Sequence, residues 1–402
     1  MLQSYRYVVL AEGHFGPQSS KTANSAIRYL PERVVAVLDR RHAGRPVQDV
    51  LGFGGAIPVL AELREALPLR PTALLVGIAP SGGRLPAEWR PVLEAAIDAG
   101  LDLVSGLHFL LADDAALAVR AAERGVALHD LRRDPGDLPV STGRARFVEP
   151  LTVLTVGTDS NIGKMTAGLQ LRAALARRGV RVGFAATGQT GILIEGWGVA
   201  VDAVKADFIG GAAERLVLQA APGNDVVLVE GQGSLVHPGY SGVTLGLLHG
   251  SLPDAMILCH QPSRRHIYSA SRAYDWVALP SLPEAIRLYE SALAPLRAAR
   301  VIGLSLATWD LPDAAARAAL ARAEDETGLP ATDPVRYDAA PLTDAGLAAA
   351  ERKRAQEART RPRAGGTLSS PPGARSPVLY PHPGRGGRPC SRRASTATAP
   401  GA

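Results

Sequence analysis

The stretch LTVLTVGTDSNIGKMT, residues 151–166, decides the fold. A run of apolar and β-branched residues ends in a glycine, five residues lead to a second glycine, and a lysine opens the segment that follows. A strand feeding a glycine-rich loop and then a Lys-headed helix is the physical recipe for gripping phosphate. Backbone N–H groups form a nest, the helix dipole adds positive potential, and the lysine reaches the phosphate oxygens. Gly157, Thr158, Asp159, Ser160, Asn161, Ile162, Gly163, Lys164, Met165 and Thr166 are therefore the expected ligand-binding residues.

Working outward, the stretch is one unit of a longer series. After it come a helix from Lys164 to Arg178, then VRVGFAATG, a helix from Asp207 to Ala220, DVVLVEG, DAMILCH, a helix from Pro283 to Leu296, and VIGLSLA. Upstream the same alternation runs through YRYVVLA, a helix to Tyr29, RVVAVLD, a helix near Val59 to Leu67, TALLVGIA, a helix from Glu88 to Ala99, LDLVSG, a helix from Ala115 to Arg124, and VALHDLR. Strands alternating with helices predict parallel sheets covered on both faces. The expected architecture is α/β: a Rossmann-like domain over residues 1–132, a Pro/Gly-rich linker over 133–150, and a P-loop NTPase-like domain over 151–348. A disordered basic tail is expected over 349–402. The functional cleft belongs at the carboxyl ends of the strands. The first turn of the N-terminal domain, AEGHFG, lacks the G-x-G-x-x-G spacing of a dinucleotide site. Ser81 to Gly83 reads equally as an anion nest or a tight turn.

Charge excludes a further class. The chain carries 44 basic and 38 acidic residues, but residues 351–402 hold 11 of the basic and 2 of the acidic ones, leaving 33 against 36 in the rest. A body at net −3 has no electrostatic footprint for nucleic acid. No apolar stretch approaches the ~18 residues of a membrane span, so no membrane partner is expected and the protein reads as cytoplasmic. Cys259 and Cys390 lie far apart, without metal-ligand spacing. Only four of the basic residues are lysines, Lys21, Lys164, Lys205 and Lys353, and the first three fall in or beside the motifs discussed here.

One position sets the expected chemistry. A nucleotide-hydrolysing loop carries Ser or Thr after its Lys, to ligate Mg²⁺. Here Met165 stands there and the hydroxyl moves to Thr166, turned by about 100° around the helix. The loop keeps a phosphate grip without a standard part for phosphoryl transfer, which suits a diphosphate that is held and not cleaved.

The five-residue spacing between Gly157 and Gly163 resembles the loops of dethiobiotin synthetase and the cobyrinate amide synthases. DVVLVEGQGSLVHP, residues 225–238, is similar to the dethiobiotin synthetase stretch DVVLVEGAGGLLVP. Taken together, GIAPSGGRLP, SGLHFLL, GTDSNIGKMT, KADFIGGAAE, EGQGSLVHPGYSGVTLGLLHGS and TGLPATDPVR resemble the D-glutamate N-acetyltransferase family, formerly catalogued as a domain of unknown function. The resemblance covers roughly residues 5–345. It implies a Rossmann-like half, a P-loop half, and transfer of acetyl from acetyl-CoA to the amine of D-glutamate or a similar amino acid, with the loop holding the coenzyme diphosphate.

Acetyl transfer needs a base for the amine, a donor for the thioester oxyanion, and cations for the acceptor's carboxylates. The candidate catalytic residues are Glu230, His237 and His260. Glu230, at a strand end, is also placed to hold Mg²⁺ or to cap a turn. Candidates for substrate binding are Lys205 and Asp207 in VKADFIGGAAE, Arg264, and Lys21 if the N-terminal domain closes over the loop; Asp207 reads equally as a helix cap. Two other functions stay open on sequence grounds. One is an ATP-dependent ligase using ATP with Mg²⁺, and the other a non-enzymatic nucleotide-binding switch. The oligomeric state is open, a homo-oligomer included.

Overall fold

The computed structural model describes residues 2–17, 19–78, 83–269 and 271–360. Ser81, Gly82 and the tail from residue 361 onward lie outside the described residues. The strands are β1 (Tyr7–Leu10), β2 (Val34–Leu38), β3 (Val59–Leu60), β4 (Ala73–Val76), β5 (Asp102–Ser105), β6 (Leu128–Asp130), β7 (Leu151–Gly157), β8 (Val182–Ala185), β9 (Val226–Val229), β10 (Ala255–His260), β11 (Arg300–Leu306) and β12 (Ala331–Thr332). The helices are α1 (Lys21–Tyr29), α2 (Val47–Leu51), α3 (Leu63–Ala66), α4 (Arg90–Asp98), α5 (Ala115–Arg124) and α6 (Lys164–Arg177), then α7 (Gln189–Glu195), α8 (Ile209–Ala220), α9 (Ser241–Ser251), α10 (Leu282–Leu293), α11 (Asp313–Thr327) and α12 (Ala340–Thr360).

The strands form two parallel sheets. The first runs in the order β3-β2-β1-β4-β5-β6 and the second β12-β11-β10-β7-β9-β8. Each central strand is buried along its whole length, as an apolar run covered on both faces must be. β7 sits where the strand order of the second sheet reverses, flanked by β10 and β9. That places residues 158–163 in the crevice such sheets open at their carboxyl edge.

The two carboxyl edges face each other. Thr22, beyond β1, meets Thr190, beyond β8, with 3.3 Å between buried hydroxyls. Gln170 of α6 donates to the Tyr29 hydroxyl at 3.2 Å. Arg132, buried just past β6, donates to the Gly106 carbonyl at 2.7 Å and pairs with Asp202. The segment joining the domains is tied down by one buried acid: the Glu214 carboxylate on α8 accepts from the Ser141 hydroxyl and the Thr142 and Arg144 amides.

Three sequence expectations change. Val59–Leu60 is a strand that edges the first sheet, and the helix expected there is confined to Leu63–Ala66. Helices α9 and α11 were not anticipated; α9 is glycine-rich and α11 mostly alanine with charge, so neither shows a strong apolar stripe. The expected tail boundary at 349 falls inside α12. Ala349 and Ala350 are buried there, and Lys353 reaches back to donate to the Val148 and Pro150 carbonyls at 2.8 Å each and to Asp254 Oδ2 at 3.0 Å. Asp254 also accepts from the Thr152 amide at 2.8 Å, so this helix fastens the start of β7. Among the described residues, no helix is long and apolar enough to cross a membrane.

Lys353→Ala removes one side of a buried, hydrogen-bonded charge cluster. It should lower stability by about 2–4 kcal/mol, read as a fall in calorimetric Tm of several degrees.

Candidate active site

The loop after β7 is closed by its own acid. The Asp159 side chain is fully buried and accepts from the Ser160 amide at 2.6 Å, the Tyr268 amide at 2.9 Å and the Arg264 guanidinium at 2.7 Å. Arg264 also donates to the Ser160 and Asn161 carbonyls at 2.8 and 3.0 Å. Ile162 packs beneath the loop against Ala167 and Cys259. Gly163 has φ +94°, a left-handed conformation that glycine adopts without penalty, and it turns the chain into α6. The first amides of that helix have no intrahelical acceptor. Lys164 Nζ donates to the Asp159 carbonyl at 2.7 Å. Burial lowers the Lys164 ammonium to about 8, partly offset by the Cys259 thiol and Asp159.

The groups that would hold Mg²⁺ in a hydrolysing loop are occupied elsewhere. Thr166 faces the Tyr29 hydroxyl of the N-terminal domain, and Met165 packs against the apolar core. Glu230 Oε2 accepts from the Thr187 and Gly188 amides at 3.0 and 3.1 Å, so the acid caps the start of α7. A side chain at Gly191 would stand 2.2 Å from that oxygen, so only glycine leaves room for the acid. Burial pushes the Glu230 carboxyl up to about 7 against the pull of the two amides. The turn-capping reading of Glu230 is the one its contacts match.

The two histidines border the loop differently. His237 is 1% exposed and lies between the Tyr240 ring, 4.3 Å away between centroids, and the Tyr274 ring, 4.9 Å away. Its Nδ1 accepts from the Gly239 amide at 3.1 Å. The neutral ring therefore carries its proton on Nε2, which makes no hydrogen bond among the described residues. Desolvation first, and Lys164 among nearby charges, lower its pKa; Asp159 opposes them. His260 ends β10 with Nδ1 2.9 Å from the Thr158 hydroxyl. Burial, then Arg264 and Arg265, lower it to about 4. Both rings are neutral near pH 7.

Of the four expected substrate-binding residues, the structure brings two to the loop. Arg264 is spent on bracing it. Lys21 is the first residue of α1; burial, then Lys164 and Arg264, lower its ammonium to about 8. Lys205 and Asp207 are exposed, their side chains make no hydrogen bond among the described residues, and Asp207 caps neither neighbouring helix. Tyr289 escaped the sequence reading. From α10 its buried hydroxyl donates to the Gly157 carbonyl at 2.7 Å and accepts from the Leu235 amide at 3.2 Å, coupling the phosphate loop to the segment that carries His237. In sequence it is one more apolar-face aromatic, and nothing marks its hydroxyl.

Residues 139–343 match the family described as "Domain of unknown function (DUF1611_C) P-loop domain", and residues 40–134 match "Domain of unknown function (DUF1611_N) Rossmann-like domain". A protein of Tritonibacter scottomollicae named D-glutamate N-acetyltransferase is 43% identical over 290 residues, 70% of this chain and 83% of the relative. A Pseudoalteromonas protein of the same name is 38% identical over 273 residues, covering 68% of this chain and 80% of that one. The crystal structure of a DUF1611 family protein from Anabaena variabilis superposes with a TM-score of 0.81 at 39% identity, covering 86% of this chain and 100% of that one.

Two outcomes are expected from this geometry. Tyr289→Phe should weaken binding of added coenzyme A about five- to thirty-fold in calorimetry while far-UV circular dichroism is unchanged, since it removes one buried hydroxyl bridge worth about 1–2 kcal/mol. Because free Lys164 loses its proton near 8 and an adjacent diphosphate favours the charged form, binding above pH 8 should take up a proton. The apparent Kd should then rise with pH, by up to about tenfold per unit. Calorimetry in buffers of different ionisation enthalpy measures that uptake, and Lys164→Met should abolish it.

Proposed function

We propose, given that the chain belongs to the DUF1611 family through both its Rossmann-like and its P-loop domain, that it is an N-acetyltransferase moving acetyl from acetyl-CoA to the amine of D-glutamate. The observation that carries this reading is the division of labour at the loop. Lys164 heads the helix after the loop, while Glu230 accepts from two backbone amides and Thr166 faces the Tyr29 hydroxyl, which supports a ligand whose phosphates are held and not cleaved. Two relatives that bear the name D-glutamate N-acetyltransferase support the acceptor.

In this reading the coenzyme diphosphate lies on the amides that open α6, with Lys164 turning from the Asp159 carbonyl to the phosphate oxygens. The acceptor amine attacks the thioester carbonyl carbon, the carbon–sulfur bond breaks, and coenzyme A leaves as the thiol. N-acetyl-D-glutamate and one proton are the other products. His237, neutral with its proton on Nε2, donates to the carbonyl oxygen as it becomes an oxyanion; such a preorganised donor contributes about 10²–10³ in rate. His260, neutral and oriented by Thr158, is too weak a base at about 4 to deprotonate the free ammonium; it relays to solvent the proton that the attacking nitrogen sheds in the tetrahedral intermediate. The Glu230 carboxyl, fastened to two amides, holds the wall of the site and does not act as the base.

Thiol release from acetyl-CoA by the purified protein tests the reading. Release should require D-glutamate, exceed that with L-glutamate, and survive EDTA. Absence of release with any amino acid, or consumption of ATP that EDTA abolishes, would overturn it in favour of ligase chemistry.

A further inference from the structure

The N-terminal domain contributes no residue to the phosphate grip, yet α1 is held against the P-loop domain at both ends. Near its start the buried Thr22 and Thr190 hydroxyls meet at 3.3 Å, and at its end the Tyr29 hydroxyl receives Gln170 at 3.2 Å. The turn before α1 is itself fixed. The Ser20 hydroxyl and the Asn24 amide both donate to the Gly16 carbonyl at 2.9 Å, and the Ala23 amide donates to the Gly77 carbonyl at 2.8 Å. The first helical residue is therefore delivered to a defined place, and that residue is Lys21.

The cations around the loop differ in what they are bonded to. Arg264 is committed to Asp159 and two loop carbonyls, Lys164 to the Asp159 carbonyl, and Arg132 to Asp202 and Gly106. Arg265 and Lys21 have no carboxylate partner among the described residues. Arg265 belongs to the P-loop domain's own β10–α10 connection and acts on His260. Lys21 comes from the opposite wall. It is an exposed residue that adjoins Thr22, whose hydroxyl meets Thr190 of the P-loop domain; the protein packed around its ammonium, then Lys164 and Arg264, lower it to about 8. An ammonium held beside two other cations without a counter-charge is a place where a bound anion is favoured.

We infer that Lys21 is a specificity-determining residue that binds the side-chain carboxylate of the acceptor, so that the Rossmann-like domain reads the acceptor while the P-loop domain holds the donor. The inference rests on the acetyltransferase reading above. The diphosphate already has the α6 amides and Lys164, whereas the acceptor brings two carboxylates and must enter from the side of the cleft that the P-loop does not occupy. A flexible ammonium suits one carboxylate oxygen, where a bidentate guanidinium fork would impose its own plane.

Steady-state kinetics of Lys21→Ala and Lys21→Arg, with acetyl-CoA as donor, test this. D-glutamate and D-glutamine are compared, D-glutamine as alternative acceptor or, where turnover is slow, as competitive inhibitor. Lys21→Ala should raise KM for D-glutamate tenfold or more, leave KM for acetyl-CoA within about twofold, and leave the D-glutamine constant unchanged, so that preference for the dicarboxylate falls by the same factor. Lys21→Arg should recover part of that preference, and both variants should melt as the wild type does. A rise in KM for acetyl-CoA with the two acceptors affected equally would assign Lys21 to the donor's phosphates. Unchanged constants would remove it from the site, and either result overturns the inference. Wild-type protein that fails to release thiol with D-glutamate would instead defeat the acetyltransferase reading itself.

Discussion

The Asp159–Arg264 pair is the interaction on which the rest of the site depends. A carboxylate with no exposed surface inside a phosphate-binding loop is costly unless its charge is matched, and here a guanidinium and two backbone amides match it. The consequences run outward. Because the acid turns inward, its charge is matched within the loop, and the first amides of α6 keep no intrahelical acceptor. Because Arg264 also binds two loop carbonyls, the connection after β10 is tied to the loop, with the Tyr268 amide on Asp159 and Tyr274 beside His237. Losing either partner would leave an uncompensated buried charge, at a cost of about 3–5 kcal/mol.

Legibility in the sequence followed the range of the interactions involved. The alternation of strands and helices is local, and both parallel sheets were readable from it, as was the loop from Gly157 to Thr166. The switch from Ser or Thr to Met165 was readable too, and the hydroxyl it displaces, that of Thr166, faces Tyr29 in the other domain. Glu230 shows where a motif stops informing. The motif placed an acid at a strand end, but its direction is set by the amides of Thr187 and Gly188 and by the space at Gly191, some 40 residues away in sequence. Arg264 read as a free cation for the same reason, since the acid it serves lies more than a hundred residues earlier.

Helices α9, α11 and α12 were harder to read because small residues carry little hydrophobic contrast. An alanine-rich helix buries its face through backbone proximity more than through side-chain bulk, so the apolar periodicity that marks a helix is faint. In α12 the deciding residue is a lysine. Lys353 sits in a stretch whose composition resembles a solvated tail, and its acceptors before β7 and at Asp254 before β10, with buried Ala349 and Ala350, show that the helix belongs to the core.

Neither domain holds a complete site. The P-loop domain has the nest, the buried lysine and two neutral histidines, all suited to an anionic donor and a polarised carbonyl, but the arginine that looked available for a second substrate is consumed by the loop. The Rossmann-like domain lacks a dinucleotide fingerprint, and the acid beyond β2, Asp39, is turned inward, accepting from the Gly13 amide at 2.7 Å and from His42. What that domain offers the crevice is the start of α1. A fold ordinarily used to bind one ligand at its own carboxyl edge instead presents that edge to its neighbour, and in the proposed reaction the two edges would share donor and acceptor between them.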